Sequence, residues 1–233
     1  MNDYLASART LPVSELGPSA RARFISKTYT HLFGAILAFT GIQIFLFQSG
    51  AADTLAGALL GVSWLLVLGA FMVVSWLASR LAHTVESLPL QYVALAVSVV
   101  AHAIIFAPLL VRAQSRSGGG VIESAALVTL MAFAALTALV YATGKDFSFL
   151  GSILAWGGII AVVLIVAGVI FGFQLGLFFS VAMVALAGGA ILYDTSNILY
   201  HYPEDRYVGA SLELFASIGL MFWYVLRIFM SRD

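Results

Sequence analysis

The sequence predicts an all-α, polytopic membrane protein with seven spanning helices. Three observations predict it. Of 233 residues, 62% are hydrophobic and only 9% charged, where a soluble domain needs about 25% charged residues to cover its surface. The mean hydropathy is +1.03, so lipid is the solvent for most of the chain. The apolar residues gather into seven runs, each long enough to cross about 30 Å of hydrocarbon. The connections are short, which makes successive helices antiparallel neighbours.

Residues 1–27 read as a cytosolic tail, and residues 28–233 as the membrane domain. Pro12, Gly17 and Pro18 prevent a long helix before Ser19. Residues 1–26 contain no apolar signal-peptide core, so the chain is expected to insert by its first span and keep its N-terminus. Arg21, Arg23 and Lys27 abut that span as a basic collar. The spans are expected at about 29–48, 55–78, 90–111, 121–143, 149–171, 176–200 and 208–230. Gln48-Ser49-Gly50 closes the first, and Ser87-Leu88-Pro89 precedes the third. Ser117-Gly118-Gly119-Gly120 is a flexible loop before the fourth, and Gly144-Lys145-Asp146 separates the fourth from the fifth. Gly172 to Gly176 carries no charge and suits a tight turn at the membrane.

Orientation follows from the basic residues. With the N-terminus inside, Arg9, Arg21, Arg23, Lys27, Arg80, Lys145 and Arg206 are cytosolic, against Arg112, Arg116, Arg227 and Arg232 outside. Seven against four favours N-terminus in and C-terminus out. A net charge of zero gives no basic footprint for nucleic acid. The absence of cysteine excludes disulfides, thiolate nucleophiles and cysteine metal sites. No internal repeat of the transporter kind is present.

Two acids draw attention inside the last hairpin. An aspartate at the centre of a membrane helix costs roughly 3 kcal/mol on insertion scales, which makes it a functional candidate by default. Asp194 lies seven residues before His201, and Glu213 six residues after Tyr207. On antiparallel helices both reach about 9 Å inside the same face at ~1.5 Å per residue. Brought within hydrogen-bonding range, they would titrate as a coupled pair and share one proton, a physical basis for a gate. Asp194 as a helix-packing pin or a solvated helix end remains open at this point. Arg80, at the end of the second span on the same face, is the first candidate counter-ion; snorkelling is the alternative. Calcium wants about six to eight oxygens. Asp194 and Glu213, with Ser217, Thr195, Ser196 and Asn197, would make a weak, transient station. His31, Gln43 and His102 read as hydrogen-bonded packing groups. Pro108 is expected to kink the third span. Ala185 with Gly189, and Gly209 with Glu213 and Ser217, are four apart and suit close helix approach.

Enzyme motifs are missing. Tyr193-Asp194 resembles half of an intramembrane aspartyl protease, but the last span lacks the second half. No His-Glu-x-x-His, Gly-x-Ser-x-Gly or P-loop occurs. No enzymatic activity and no resident cofactor are expected.

Three segments carry a family resemblance. They are Thr143-Gly144-Lys145-Asp146-Phe147-Ser148-Phe149-Leu150-Gly151, then Gly189-Ala190-Ile191-Leu192-Tyr193-Asp194-Thr195-Ser196-Asn197-Ile198, then Tyr207-Val208 with Ala210, Leu212, Leu214-Phe215 and the terminal Met230-Ser231-Arg232-Asp233. The chain resembles the Bax inhibitor-1 family, also called the transmembrane Bax-inhibitor-motif family, and within it the bacterial YccA-like branch. The resemblance implies a bundle with the seventh helix central among the other six, and a pH-sensitive calcium leak in some members. In the YccA-like branch it implies binding to, and restraint of, the membrane-bound AAA protease FtsH. It implies a second acid on the seventh helix paired with Asp194. Ser217 stands at that position here, and Glu213, one turn away, is the candidate to replace it.

Overall fold

A computed structural model describes residues 11–231 apart from 86, 118 and 119. Arg9 with the first ten residues, Gly118, Gly119, Arg232 and Asp233 lie outside the described residues. Eight α-helices are described: α1 (Pro18–Gln48), α2 (Ala51–Leu60), α3 (Trp64–Thr84), α4 (Leu88–Ser117), α5 (Gly120–Thr143), α6 (Leu150–Phe171), α7 (Leu177–Tyr200) and α8 (Tyr207–Met230). All but α2 are long and apolar enough to cross a membrane. Their outer faces are apolar, with Phe45, Leu66, Trp156 and Phe178 all exposed. Such a surface is stable only in lipid, and the chain is an integral membrane protein.

Helix α1 starts at Pro18, where the missing N–H costs nothing. The helix runs on through Lys27 into the first span, so the expected boundary at residue 27 falls inside one continuous helix. The second span differs from expectation. Residues 51–60 form a separate ten-residue helix that packs on α4, and the span itself begins at Trp64. Gly50 takes a left-handed φ of 74° to open α2, and Ser63 is extended ahead of α3. Helix α4 continues through Pro108. Within a turn and a half before it, buried Gln43 of α1 donates to the Ala103 carbonyl at 2.9 Å, one of the partners that neighbouring helices supply around an intramembrane proline.

Helix α8 packs against α1, α3, α4, α5 and α7, whereas α6 packs chiefly on α7. The most enclosed span is α4, with 61% of its most apolar window buried against 44% in α8. Close approach follows the small residues. A Cβ on Gly209 would stand 3.1 Å from the Ala82 carbonyl of α3, and one on Gly189 3.3 Å from Leu154 of α6. Trp64 and Trp223, both partly buried, stack on each other, while Trp76 and Trp156 face outward. His102 bonds the Ser98 carbonyl and sits edge-on to Phe71 and Phe215, a packing role. His31 bonds the Lys27 carbonyl and the Tyr92 hydroxyl.

At the turn between α7 and α8 the chain before α1 folds back. Val13, fully buried, donates its N–H to the Tyr202 carbonyl at 2.9 Å, and Ser14 Oγ bonds the Tyr200 carbonyl at 2.8 Å. Pro12 and Pro203 form an isolated bridge. Residues 12–14 therefore strap the turn that joins the two acid-bearing helices.

Candidate functional site

The site forms where α3, α7 and α8 meet at the strapped turn. Asp194 is 7% exposed. Its Oδ2 accepts a 2.6 Å hydrogen bond from Ser217 Oγ of α8, a charge-assisted length when the acid is ionised. Glu213, one turn before Ser217, reaches the other way. Its Oε1 accepts bonds from Ser79 Oγ and from His83 Nε2, the latter at 2.9 Å. Ser79 and His83 are four apart, so one face of α3 presents both. Ala82, at the same end of α3, lies against Gly209, and that close contact lets Glu213 reach them.

The two acids therefore share a cavity and not a hydrogen bond. The cavity measures about 620 Å³ and is lined by Ser79, His83, Asp194, Asn197 and Glu213, together with the turn residues His201 to Pro203 and Arg206. The expected bond between the carboxylates is replaced by two separate anchors, because Ser217 and His83 each lie nearer to one acid. Arg80 does not join them. It is exposed, over the Trp76 ring at 5.2 Å, because one residue past Ser79 is 100° round the helix. His83, and not Arg80, is the α3 residue that hydrogen-bonds Glu213.

The expected oxygen station is also thinner. Ser196 Oγ turns to the loop between α5 and α6, where it accepts the Phe147 N–H at 2.8 Å and donates to Asp146 Oδ1 at 3.0 Å. The Thr195 hydroxyl is buried elsewhere, with no hydrogen-bond partner. Among the described residues no three His, Asp or Glu side chains cluster closely enough to hold a metal.

Tyr202 also lines the cavity. Its ring lies between Phe24, at 6.4 Å, and His83, at 5.6 Å. Burial first, then the carboxylates of Glu213 and Asp194, hold its hydroxyl well above the usual phenol range, so it remains a neutral donor. Arg206 donates to the Val85 carbonyl and pairs with Asp205 at 3.5 Å, tying the turn to the end of α3.

A second polar knot braces the back of α7. Asp146 Oδ1 accepts the Ser148 N–H at 2.8 Å and its Oδ2 pairs with His201 Nε2 at 2.9 Å. The Ser148 amide above all, then His201 and Ser196, hold the Asp146 carboxyl at about 2. The folded value lies below the unfolded one, so its stabilisation is full above the usual carboxylate range and is lost as pH falls through about 2. Asp146→Asn is expected to weaken amide-exchange protection at Phe147 and Ser148 near pH 6, with the difference from wild type shrinking as the pH approaches 2. Equal protection of the two proteins at pH 6 would refute the brace.

Of the residues that line this cavity, the sequence pointed to Asp194 and Glu213 and passed over Ser79, His83 and Tyr202. The available signal was the Ser79-x-x-x-His83 spacing beside Ala82.

The family model described as "Inhibitor of apoptosis-promoting Bax1" matches residues 21–233. The chain is 36% identical over 132 residues to the "Modulator of FtsH protease YccA" of Escherichia coli K12, covering 55% of this chain and 60% of that protein. It is 35% identical over 126 residues to a "BI1-like protein" of Arabidopsis thaliana, covering 49% of this chain and 47% of the relative. An uncharacterized protein of Campylobacter jejuni is 28% identical over 223 residues, 90% of each chain. The chain thus spans about half to three fifths of the first two relatives. With seven apolar spans and a family model matched from residue 21 to residue 233, the protein belongs to the Bax inhibitor-1 family.

Proposed function

We propose that the protein is a slow, proton-controlled cation leak, with the Asp194–Ser217 hydrogen bond as its constriction. One observation carries the reading: Asp194 lines the polar cavity at the turn, while its partner Ser217 lines a second cavity of about 520 Å³ on the far side. That hydrogen bond links a residue lining one cavity to a residue lining the other. Glu213, Ser217, Leu220, Tyr224 and Arg227 follow one another along one face of α8 at helical spacing. An ion entering beside Glu213 meets two carboxylates and the Asn197 side chain, too few oxygens to trap it and enough to admit it. Calcium is the cation the family resemblance suggests. Beyond Ser217 the walls are apolar, which makes passage slow through dewetting.

The charge that faces Asp194 and Glu213 comes from His83 on α3, His201 on α7 and Arg206 in the turn. Tyr193 and Tyr202 face the same cavity. Protonation of either acid or of His83 changes the hold of α8 on α3 and α7. The cytoplasmic membrane of a bacterium is the expected location, with the N-terminus and the acid cavity toward the cytosol. The test is purified protein in vesicles loaded with a calcium-sensitive dye. Wild type is expected to leak with a titration near neutral pH, and Glu213→Gln to lose part of that dependence. A Glu213→Gln protein with an unchanged pH profile, or a wild type no leakier than empty vesicles, would refute the reading.

The likeness to a named modulator of FtsH favours a second reading, in which the protein binds a membrane-bound AAA protease and transports nothing. The strap at residues 12–14 would then join the tail to the helix hairpin. Under this reading, deletion of residues 1–10 changes proteolysis of a membrane substrate, and vesicle leakage stays at background.

A further inference from the structure

The cavity beyond Ser217 is a cleft in the side of the bundle. Helix α3 packs on α4 and α8, and α6 packs on α7, so α3 and α6 flank α8 without closing over it. Trp64, Leu68 and Phe71 of α3 form one wall, Ile165 and Val169 of α6 the other, and Leu220 and Trp223 of α8 contribute to the floor. Apart from the His102 ring, which lines the cleft beside Gly219, the polar side chains lie at its ends. Ser217 and the unpartnered hydroxyl of Ser75 lie at the inner end. Arg227 lies at the outer end, where one of its nitrogens donates to the Leu175 carbonyl at 3.2 Å and its guanidinium lies over the Tyr224 ring. No carboxylate pairs with it among the described residues, and its remaining donors are free.

We infer that this cleft holds one acyl chain of an anionic phospholipid, with the headgroup phosphate on Arg227. Ser217 and Arg227 are ten residues apart, roughly 15 Å at 1.5 Å per residue. That is half of a hydrocarbon core of about 30 Å, the depth one leaflet's chain occupies. The cleft volume of about 520 Å³ lies in the range of ligand sites that bury most of their occupant. Apolar walls choose a chain, and they do so without regard to the headgroup. The choice of an anionic headgroup comes from the guanidinium, a planar fork matched to phosphate oxygens and held in place by Leu175. A zwitterionic headgroup brings its own cation to the same point. The inference does not rest on the proposed leak, but it shares the cleft with it: a chain seated here has to move aside before an ion can pass beyond Ser217.

The experiment uses the full chain reconstituted with equal amounts of phosphatidylglycerol and phosphatidylcholine of identical chains, followed by native mass spectrometry of the retained lipid. Wild type is expected to keep one lipid, with phosphatidylglycerol preferred about fivefold, as one basic residue near a membrane surface provides. Arg227→Gln should keep a lipid and lose the preference. Ala216→Phe, which fills the cleft, should keep neither. Should a variant fail to fold, the unaltered protein still gives a test. Phosphatidylglycerol with brominated chains should quench its tryptophan fluorescence more than brominated phosphatidylcholine, because Trp64 and Trp223 line the cleft. Equal quenching, no retained lipid in wild type, or a preference that survives Arg227→Gln each overturns the proposal.

Discussion

Replacing Gly209 with valine is expected to destabilise the bundle by about 1–3 kcal/mol, the usual cost of forcing extra atoms into a packed interface. A Cβ at Gly209 would lie 3.1 Å from the Ala82 carbonyl oxygen and 3.5 Å from the Ala82 Cβ. Both atoms belong to Ala82, which is fully buried. A carbonyl cannot swing aside as a side-chain tip can, so α3 and α8 must separate. Glu213 lies one turn further along α8, and the separation would draw it away from Ser79 and His83. The thermal midpoint of detergent-solubilised protein should fall by roughly 2–12 °C, by the scaling for a chain of this size. Gly34→Ala and Gly41→Ala are the controls, since a Cβ there meets nothing within 4 Å. Both should hold or raise the midpoint, because glycine in a helix interior costs about 0.5–1 kcal/mol relative to alanine. A Gly209→Val protein that melts with wild type would mean that the close approach of α3 and α8 does not exist.

The Gly209 contact also marks what could be read from the chain alone. Hydropathy located seven spans, because an apolar run of this length has one stable place. It merged α2 with α3 because Ala51–Leu60 is as apolar as its neighbour, and only the Gly61-Val62-Ser63 break separates them. Counting residues from the turn put Asp194 and Glu213 at one depth, and they do line one cavity. Depth does not give azimuth. Which way a carboxylate points depends on how α8 is rotated between α3 and α7, and that is set by Gly209 on Ala82 and by Ser217 on Asp194. Arg80 and His83 have similar depth, and only the rotation of α3 decides which of them meets Glu213. The pairing of Asp146 with His201, 55 residues away, has no local signal at all.

Ser217→Ala is expected to raise cation flux roughly 10- to 100-fold at a fixed pH, if the bond to Asp194 is the closed gate. The magnitude follows from the bond. A hydrogen bond to a charged group contributes about 1.5–3 kcal/mol, and each ~1.4 kcal/mol is a factor of ten in an equilibrium. Alanine leaves the buried carboxylate of Asp194 without its donor, and α7 loses a direct link to α8. Asp194→Asn tests the other partner. The amide oxygen still accepts from Ser217, but nothing at that point can take up or release a proton. Flux through Asp194→Asn should therefore vary less with pH than flux through wild type. The two variants separate gate from packing pin. A pin predicts that both lower the thermal midpoint while vesicles stay tight. A gate predicts that Asp194→Asn keeps a near-native midpoint with a flattened pH profile, and that Ser217→Ala leaks. Tight vesicles for Ser217→Ala across pH 5–8 would remove the Asp194–Ser217 bond from any account of ion passage.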